Sequence, residues 1–150
     1  GIDGLIVVDC PPEEADPLAD HLDAYGISLV RLAAPTTDDR RLPAVLRRAS
    51  GFVYYVSVAG VTGVKEAEAQ GVSPAVERVR KASGLPVAVG FGVKTPERAA
   101  AVAAVADAVV VGSALVEEIA RALEHGQPAV AKVLAAAGRL ADAVHGARGG

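Results

Sequence analysis

The 150 residues, 51% of them hydrophobic, make one domain's worth of chain, long enough to bury roughly 68–70% of its unfolded surface. A formal net charge of −3 and an aromatic content of 3% exclude a basic nucleic-acid surface interleaved with aromatic rings. Cys10 stands alone, so an internal disulfide framework is excluded and a reducing cytosol fits, while His21, His125 and His145 are too far apart for metal-ligand spacing.

The first predicted strand is the apolar run Leu5 to Val8, which ends at Asp9-Cys10-Pro11-Pro12 and suits a strand buried on both faces. Glu13 to Tyr25 carries helical spacing through Ala15, Leu18, Ala19 and Leu22, with Gly26 as its stop. Leu29 to Ala33 is a second strand, closed by Pro35-Thr36-Thr37. A helix from about Asp39 to Ala49 follows, with Pro43 in its first turns. Its Arg40, Arg41, Arg47 and Arg48 read as a solvated face. Phe52 to Val56 is the third strand.

The stretch from Ser57 to Val72 lacks strong periodicity and reads as a long loop, functional or disordered. Ser73-Pro74 then opens a helix, with Ser at the N-cap and Pro at the first helical position, and Gly84 ends it. Pro86 to Val89 is the fourth strand, Thr95-Pro96-Glu97 opens the next helix, and Ala108 to Val111 is the fifth strand. Helices from about Ala114 to His125 and Pro128 to Val144 complete the chain. The apolar stretch 99–116 is broken by Asp107, Gly112 and Ser113, so it reads as a helix followed by a buried strand and not as a membrane span. No signal-peptide pattern is present, and Gly1 in place of Met suggests processing or a cut from something longer.

Alternating strands and helices mean a parallel sheet with right-handed crossovers. Two architectures satisfy that pattern: five (β/α) units of an eight-stranded TIM barrel, or an open five-stranded flavodoxin-like sheet.

Three glycine turns each follow a strand: Gly60-Val61-Thr62-Gly63, Gly90-Phe91-Gly92 and Gly112-Ser113. Glycine lets backbone N–H groups approach an anion, and turns at one end of consecutive parallel strands converge on a point. Gly112-Ser113 also precedes a short helix whose N-terminus favours a phosphate, and Ser113 could cap that helix, bind the phosphate, or do both. The plainer role for these glycines is to permit tight turns. Gly90 to Thr95 lacks the third glycine of a dinucleotide fingerprint, and Gly60 to Lys65 lacks the spacing of a P-loop. Asp9, at the end of the first strand, could act as acid, base or phospho-acceptor, but the preferred reading is a turn-forming hydrogen-bond acceptor. A receiver domain is excluded because the third strand ends in Ser57 and the fifth in Gly112. Tyr54 and Tyr55 point to opposite faces, and either could be core or, for Tyr54, a phenol beside the substrate.

At these residues the chain resembles the tryptophan synthase alpha chain family. The segments that carry the resemblance are Val8-Asp9-Cys10-Pro11-Pro12-Glu13-Glu14 with Asp3, Tyr54 to Gly63, Gly90-Phe91-Gly92-Val93 with Thr95-Pro96-Glu97, and Val111 to Val116. The resemblance implies a (β/α)8 barrel, entered here at its fourth strand, that cleaves indole-3-glycerol phosphate to indole and glyceraldehyde 3-phosphate in the cytoplasm. It implies that Gly63, Gly92, Gly112 and Ser113 bind the phosphate, that Tyr54, Gly90 and Phe91 line the pocket, and that Ile6, Val8 and Leu32 form its apolar indole side. Thr62 would order the catalytic aspartate on loop closure. The implied partner is a beta chain that carries its own pyridoxal phosphate, so no cofactor belongs to this chain. The family's catalytic Glu and Asp would lie before Gly1, and no residue here matches them. The expectation is therefore a chain with the phosphate grip and without the acid–base pair, inactive alone, with a non-catalytic phosphate-binding module as the alternative. Its open sheet edges would favour self-association.

Overall fold

The computed structural model describes residues 1–57, 65–90 and 92–147, with side chains described for all of these except 65–71. Five strands, β1 (Gly4–Ile6), β2 (Ser28–Ala33), β3 (Val53–Val56), β4 (Val87–Gly90) and β5 (Ala108–Val110), alternate with helices. The helices are α1 (Asp16–Ala24), α2 (Leu42–Leu46), α3 (Lys65–Ser83), α4 (Pro96–Ala103), α5 (Ser113–Glu124) and α6 (Ala129–Gly146). All neighbouring strands are parallel, and their spatial order is β1-β2-β3-β4-β5.

That order decides between the two architectures. A flavodoxin-like sheet would place its first strand inside the sheet and reverse direction there. Here each strand lies beside its predecessor, so right-handed crossovers put every connecting helix on the same face. The open-sheet alternative is thereby overturned, and the fold is a five-stranded portion of a TIM barrel.

Alternation along the strands sorts the residues into two faces. Leu29 and Ala33 of β2, Val53 and Tyr55 of β3, and Val87 and Val89 of β4 are buried toward the helices. The main core joins Ala33, Val53, Tyr55, Val87 and Val89 to Val76 and Val79 of α3, Ala99 and Val102 of α4, and Leu140 of α6. A smaller cluster, Ala15, Ala19, Leu22 and Leu29, sits under α1 with Leu5 and Val7 against it. Burial pushes the Tyr55 phenol up from its ordinary pKa.

Ionic straps hold the outer elements. Arg47 reaches Asp16 at 2.8 Å, and Arg48 reaches Asp20 at 2.6 Å and Asp23 at 2.9 Å, tying the end of α2 to α1. Arg41 pairs with Glu13 at 2.7 Å. The arginine run is thus exposed or half-buried as expected, but three of its members cross-link elements. Asp107 accepts from the Val87 amide at 2.8 Å and from Arg80 Nη2 at 3.0 Å, fixing the start of β4 to the approach to β5.

Several boundaries differ from the sequence reading. The first strand is shorter than Leu5 to Val8 and is not buried on both faces: Ile6 is 44% and Val8 73% exposed. β1 has only β2 as a neighbour, so its inner face is open. The helix expected from Glu13 splits into a 3-10 turn at Pro12–Glu14 and α1 from Asp16, because Pro17 has no N–H to bond the Glu13 carbonyl. The helix expected over 39–49 contracts to Leu42–Leu46: Pro43 stands at its start, and Arg48 at φ 65° ends it. Ser73-Pro74 does not open a helix. It lies inside α3, which starts at Lys65, so residues 65–72 of the expected loop are helical. Residues 58–64 lie outside the described range. The Thr95 cap is as expected, with its hydroxyl accepting from the Arg98 amide at 3.3 Å.

Candidate functional site

The face of the sheet away from the helices carries the other half of each strand's residues. Register aligns them in rows. Ile6 pairs with Val30. Leu32 pairs with Tyr54, Tyr54 with Ala88, and Ala88 with Ala108. Val56 pairs with Gly90, and Gly90 with Val110. Ile6, Leu32, Tyr54 and Gly90 therefore share one face of the sheet, while Val8 lies in the turn beyond β1 and lines a cleft with Leu32. Tyr54 is the inward tyrosine, since Tyr55 belongs to the helix-side core.

Tyr54 lies across Gly90. A Cβ built on Gly90 would stand 2.7 Å from Tyr54 Cε2 and 2.9 Å from Cζ, closer than any real carbon pair. The absence of a side chain at 90 is what seats the phenol there. Ser57 locks the same residue from the β3 side: its amide donates to the Gly90 carbonyl at 3.1 Å and its hydroxyl at 3.0 Å. Ser57 is 8% exposed, so both donors are satisfied away from water.

The end of the site that the sequence reading assigns to an anion follows β4 and β5. Gly90 and Val110 are partners, so Gly92 and Gly112 each lie two residues past a matched pair of adjacent strands. Gly92 has φ +72°, a conformation that a side chain would resist. Gly112 is the N-cap of α5, and its carbonyl accepts from the Leu115 and Val116 amides at 3.0 and 3.2 Å. The preceding amides, Ser113 and Ala114, belong to the first turn, whose N–H groups have no partner within the helix. Free N–H groups of that kind, with the helix dipole, favour an anion. Ser113 is exposed and makes no capping bond, so its expected capping role is not observed; Gly112 occupies the cap position.

Lys94 Nζ sits 2.6 Å from Glu117 Oε1, pinning the segment after Gly92 to the first turns of α5. The Lys94 ammonium, by hydrogen bond and charge, holds the Glu117 carboxyl below the usual carboxylate range. It also neutralises a negative charge that would otherwise face an anion at this helix end.

Gly63, Thr62 and Phe91 lie outside the described residues. Of the other expected site residues, Tyr54, Gly90, Ile6 and Leu32 share the inner face, Val8 lies in the turn after β1 beside Leu32, and Gly92, Gly112 and Ser113 follow the ends of β4 and β5. Asp9 is exposed in the turn after β1. Three residues of consequence were missed: Ser57, Lys94 and Arg31. Arg31 carried the one visible signal, a charge inside the apolar run Leu29 to Ala33. Among the described residues no group of His, Cys, Asp and Glu is arranged to hold a metal ion, and no helix is long and apolar enough to cross a membrane.

Comparison with known proteins meets this geometry. Residues 1–145 match the family model described as tryptophan synthase alpha chain. A tryptophan synthase alpha chain of Phenylobacterium zucineum is 72% identical over 148 residues, 99% of this chain and 53% of that protein. One from Caulobacter vibrioides is 71% identical over 150 residues, 100% of this chain and 54% of that protein. The crystal structure of the alpha chain from Legionella pneumophila superposes with a TM-score of 0.81 at 39% identity, covering 97% of this chain and 53% of that one. The chain thus spans about half the length of the curated relatives it matches.

Proposed function

The chain belongs to the tryptophan synthase alpha chain family, and we propose that its residues form the phosphate-gripping and indole-walling part of a site that cleaves indole-3-glycerol phosphate to indole and glyceraldehyde 3-phosphate. The observation that supports this reading is the register of β4 and β5, which ends both strands at the matched pair Gly90 and Val110, two residues before Gly92 and before Gly112 at the N-terminus of α5. The phosphate would take the amides of Gly92, Ser113 and Ala114, and the family resemblance adds Gly63. The indole would lie along Ile6, Val8 and Leu32, with Tyr54 across from it and Gly90 leaving room for the phenol; the family resemblance adds Phe91.

The cleavage needs a proton delivered to the indole ring carbon and charge stabilised at the ring nitrogen. None of the 150 residues matches the family's Glu and Asp for those tasks. Positioned acid–base groups contribute about 10²–10⁴-fold each. A polypeptide of these residues alone therefore binds phosphate ligands and turns over negligibly. A cytoplasmic setting and a pyridoxal-phosphate-bearing beta chain that receives the indole complete the proposal, and this chain needs no cofactor of its own.

Titration with glycerol phosphate tests the grip: the expected result is saturable amide shifts at Gly92, Gly112 and Ser113. Absence of shifts there removes the reading. Clear turnover of indole-3-glycerol phosphate by the same polypeptide would overturn the statement about the acid–base pair.

A further inference from the structure

Among the described residues Arg31 is the one charged side chain that is buried, at 4% exposure. It sits in β2 between Val30 and Leu32 and faces the helix side. Among the described residues its guanidinium has no carboxylate partner. Nε donates to the Val45 carbonyl of α2 at 3.3 Å, and Nη2 donates to the Cys10 carbonyl at 3.2 Å. A leucine would fill the same space with less desolvation. It could not supply a rigid fork that holds two carbonyls on separate elements.

The two carbonyls define what the fork does. Cys10 lies two residues after Val8, in the turn that leaves β1, and Val45 is in α2. Arg31 is the immediate neighbour of Leu32. One side chain thus ties together the turn carrying Val8, the strand carrying Leu32 and the helix behind them. All three meet around a cleft of about 280 Å³ at the C-terminal end of β1 and β2, lined by Val8, Leu32, Arg31 and Arg41 among others. The cleft holds no surplus positive charge for an anionic ligand, since Asp9 lines it and Arg41 is paired with Glu13. The guanidinium therefore acts on the backbone.

We propose that Arg31 is a positioning residue that sets the separation of Val8 and Leu32, and with it the fit of the apolar ring of the substrate. The effect on substrate rests on the family reading above; the strap itself does not. Arg31→Lys keeps the charge and loses the planar fork, and Arg31→Met removes both. Two probes separate the ends of the site: glycerol phosphate, and an indole bearing a three-carbon phosphate chain. Affinity for the indole probe is expected to fall about tenfold in both variants, the scale of one lost charge-assisted hydrogen bond. Affinity for glycerol phosphate stays within about twofold. Amide shifts at Val8 to Cys10 move in Arg31→Lys while those of α5 stay in place. Equal loss for both probes, or full indole affinity in Arg31→Lys, overturns the proposal. If the unsubstituted chain binds neither probe, the family reading of the site fails, and the amide shifts alone decide the strap: unmoved Val8 to Cys10 resonances refute it.

Discussion

At residue scale the site depends on a space that one atom would fill. Gly90→Ala puts a Cβ within 2.9 Å of the Tyr54 ring, while the backbone at 90 is ordinary. The expected result is a loss of about 1–3 kcal/mol, typical of overpacking, read from the urea midpoint. In a Tyr54→Ala background the same change should cost little, because the clashing ring is gone. Equal losses in both backgrounds would show that the contact is not what constrains position 90. How legible was this pair? Adjacent tyrosines must face opposite ways, and the sequence says so. Which one faces inward depends on pairing with Leu32 and Ala88, a long-range fact. Ser57 and Lys94 were illegible for the same reason. Their partners, Gly90 and Glu117, lie 33 and 23 residues away.

At element scale the strands were easier to read than the helix starts. Buried parallel strands are compact apolar runs, and all five appear close to where the runs fall. The helix starts turn on prolines. Pro17, Pro43 and Pro96 stand in first turns, where a missing N–H is harmless. Pro74 carries the same local signal, with Ser73 before it, yet α3 runs through from Lys65. The preceding Lys65 to Gln70 are strong helix formers, and such a run can carry a helix across one missing bond. Pro74→Ala restores that bond, so it should stabilise the chain by about 1–3 kcal/mol, measured by urea unfolding. A loss of stability would mean that the helix does begin at Pro74.

At the scale of the whole molecule, the sequential strand order leaves β1 and β5 as edges and leaves the inner face partly open. Further apolar surface lies on the helices beyond β5. Val116, Ile119 and Leu123 follow helical spacing along α5 at 65%, 37% and 66% exposure, and Val130 and Leu134 extend the patch onto α6 at 72% and 66%. Edge strands with unpaired backbone groups and apolar patches of this kind promote association. The expected outcome is a weight-average mass that rises with concentration in sedimentation, and falls toward the monomer in a Val116→Glu, Leu123→Glu variant. A wild-type chain that stays monomeric across the concentration range would refute this.

The two apolar clusters are unequal, and they meet in one strand. Leu29 at the start of β2 belongs to the small cluster under α1, while Ala33 at its end belongs to the main core. Cooperativity requires that neither part can melt without exposing the other. Here the small part contributes few buried side chains, and the ties across the seam are mostly polar: the β1–β2 ladder, the Arg31 strap and the arginine pairs around α2. The α1 layer is therefore expected to open at lower free energy than the rest. Heating should release the wall bearing Ile6 and Val8 first, read as loss of amide protection at Leu29 before Val53 and Val87.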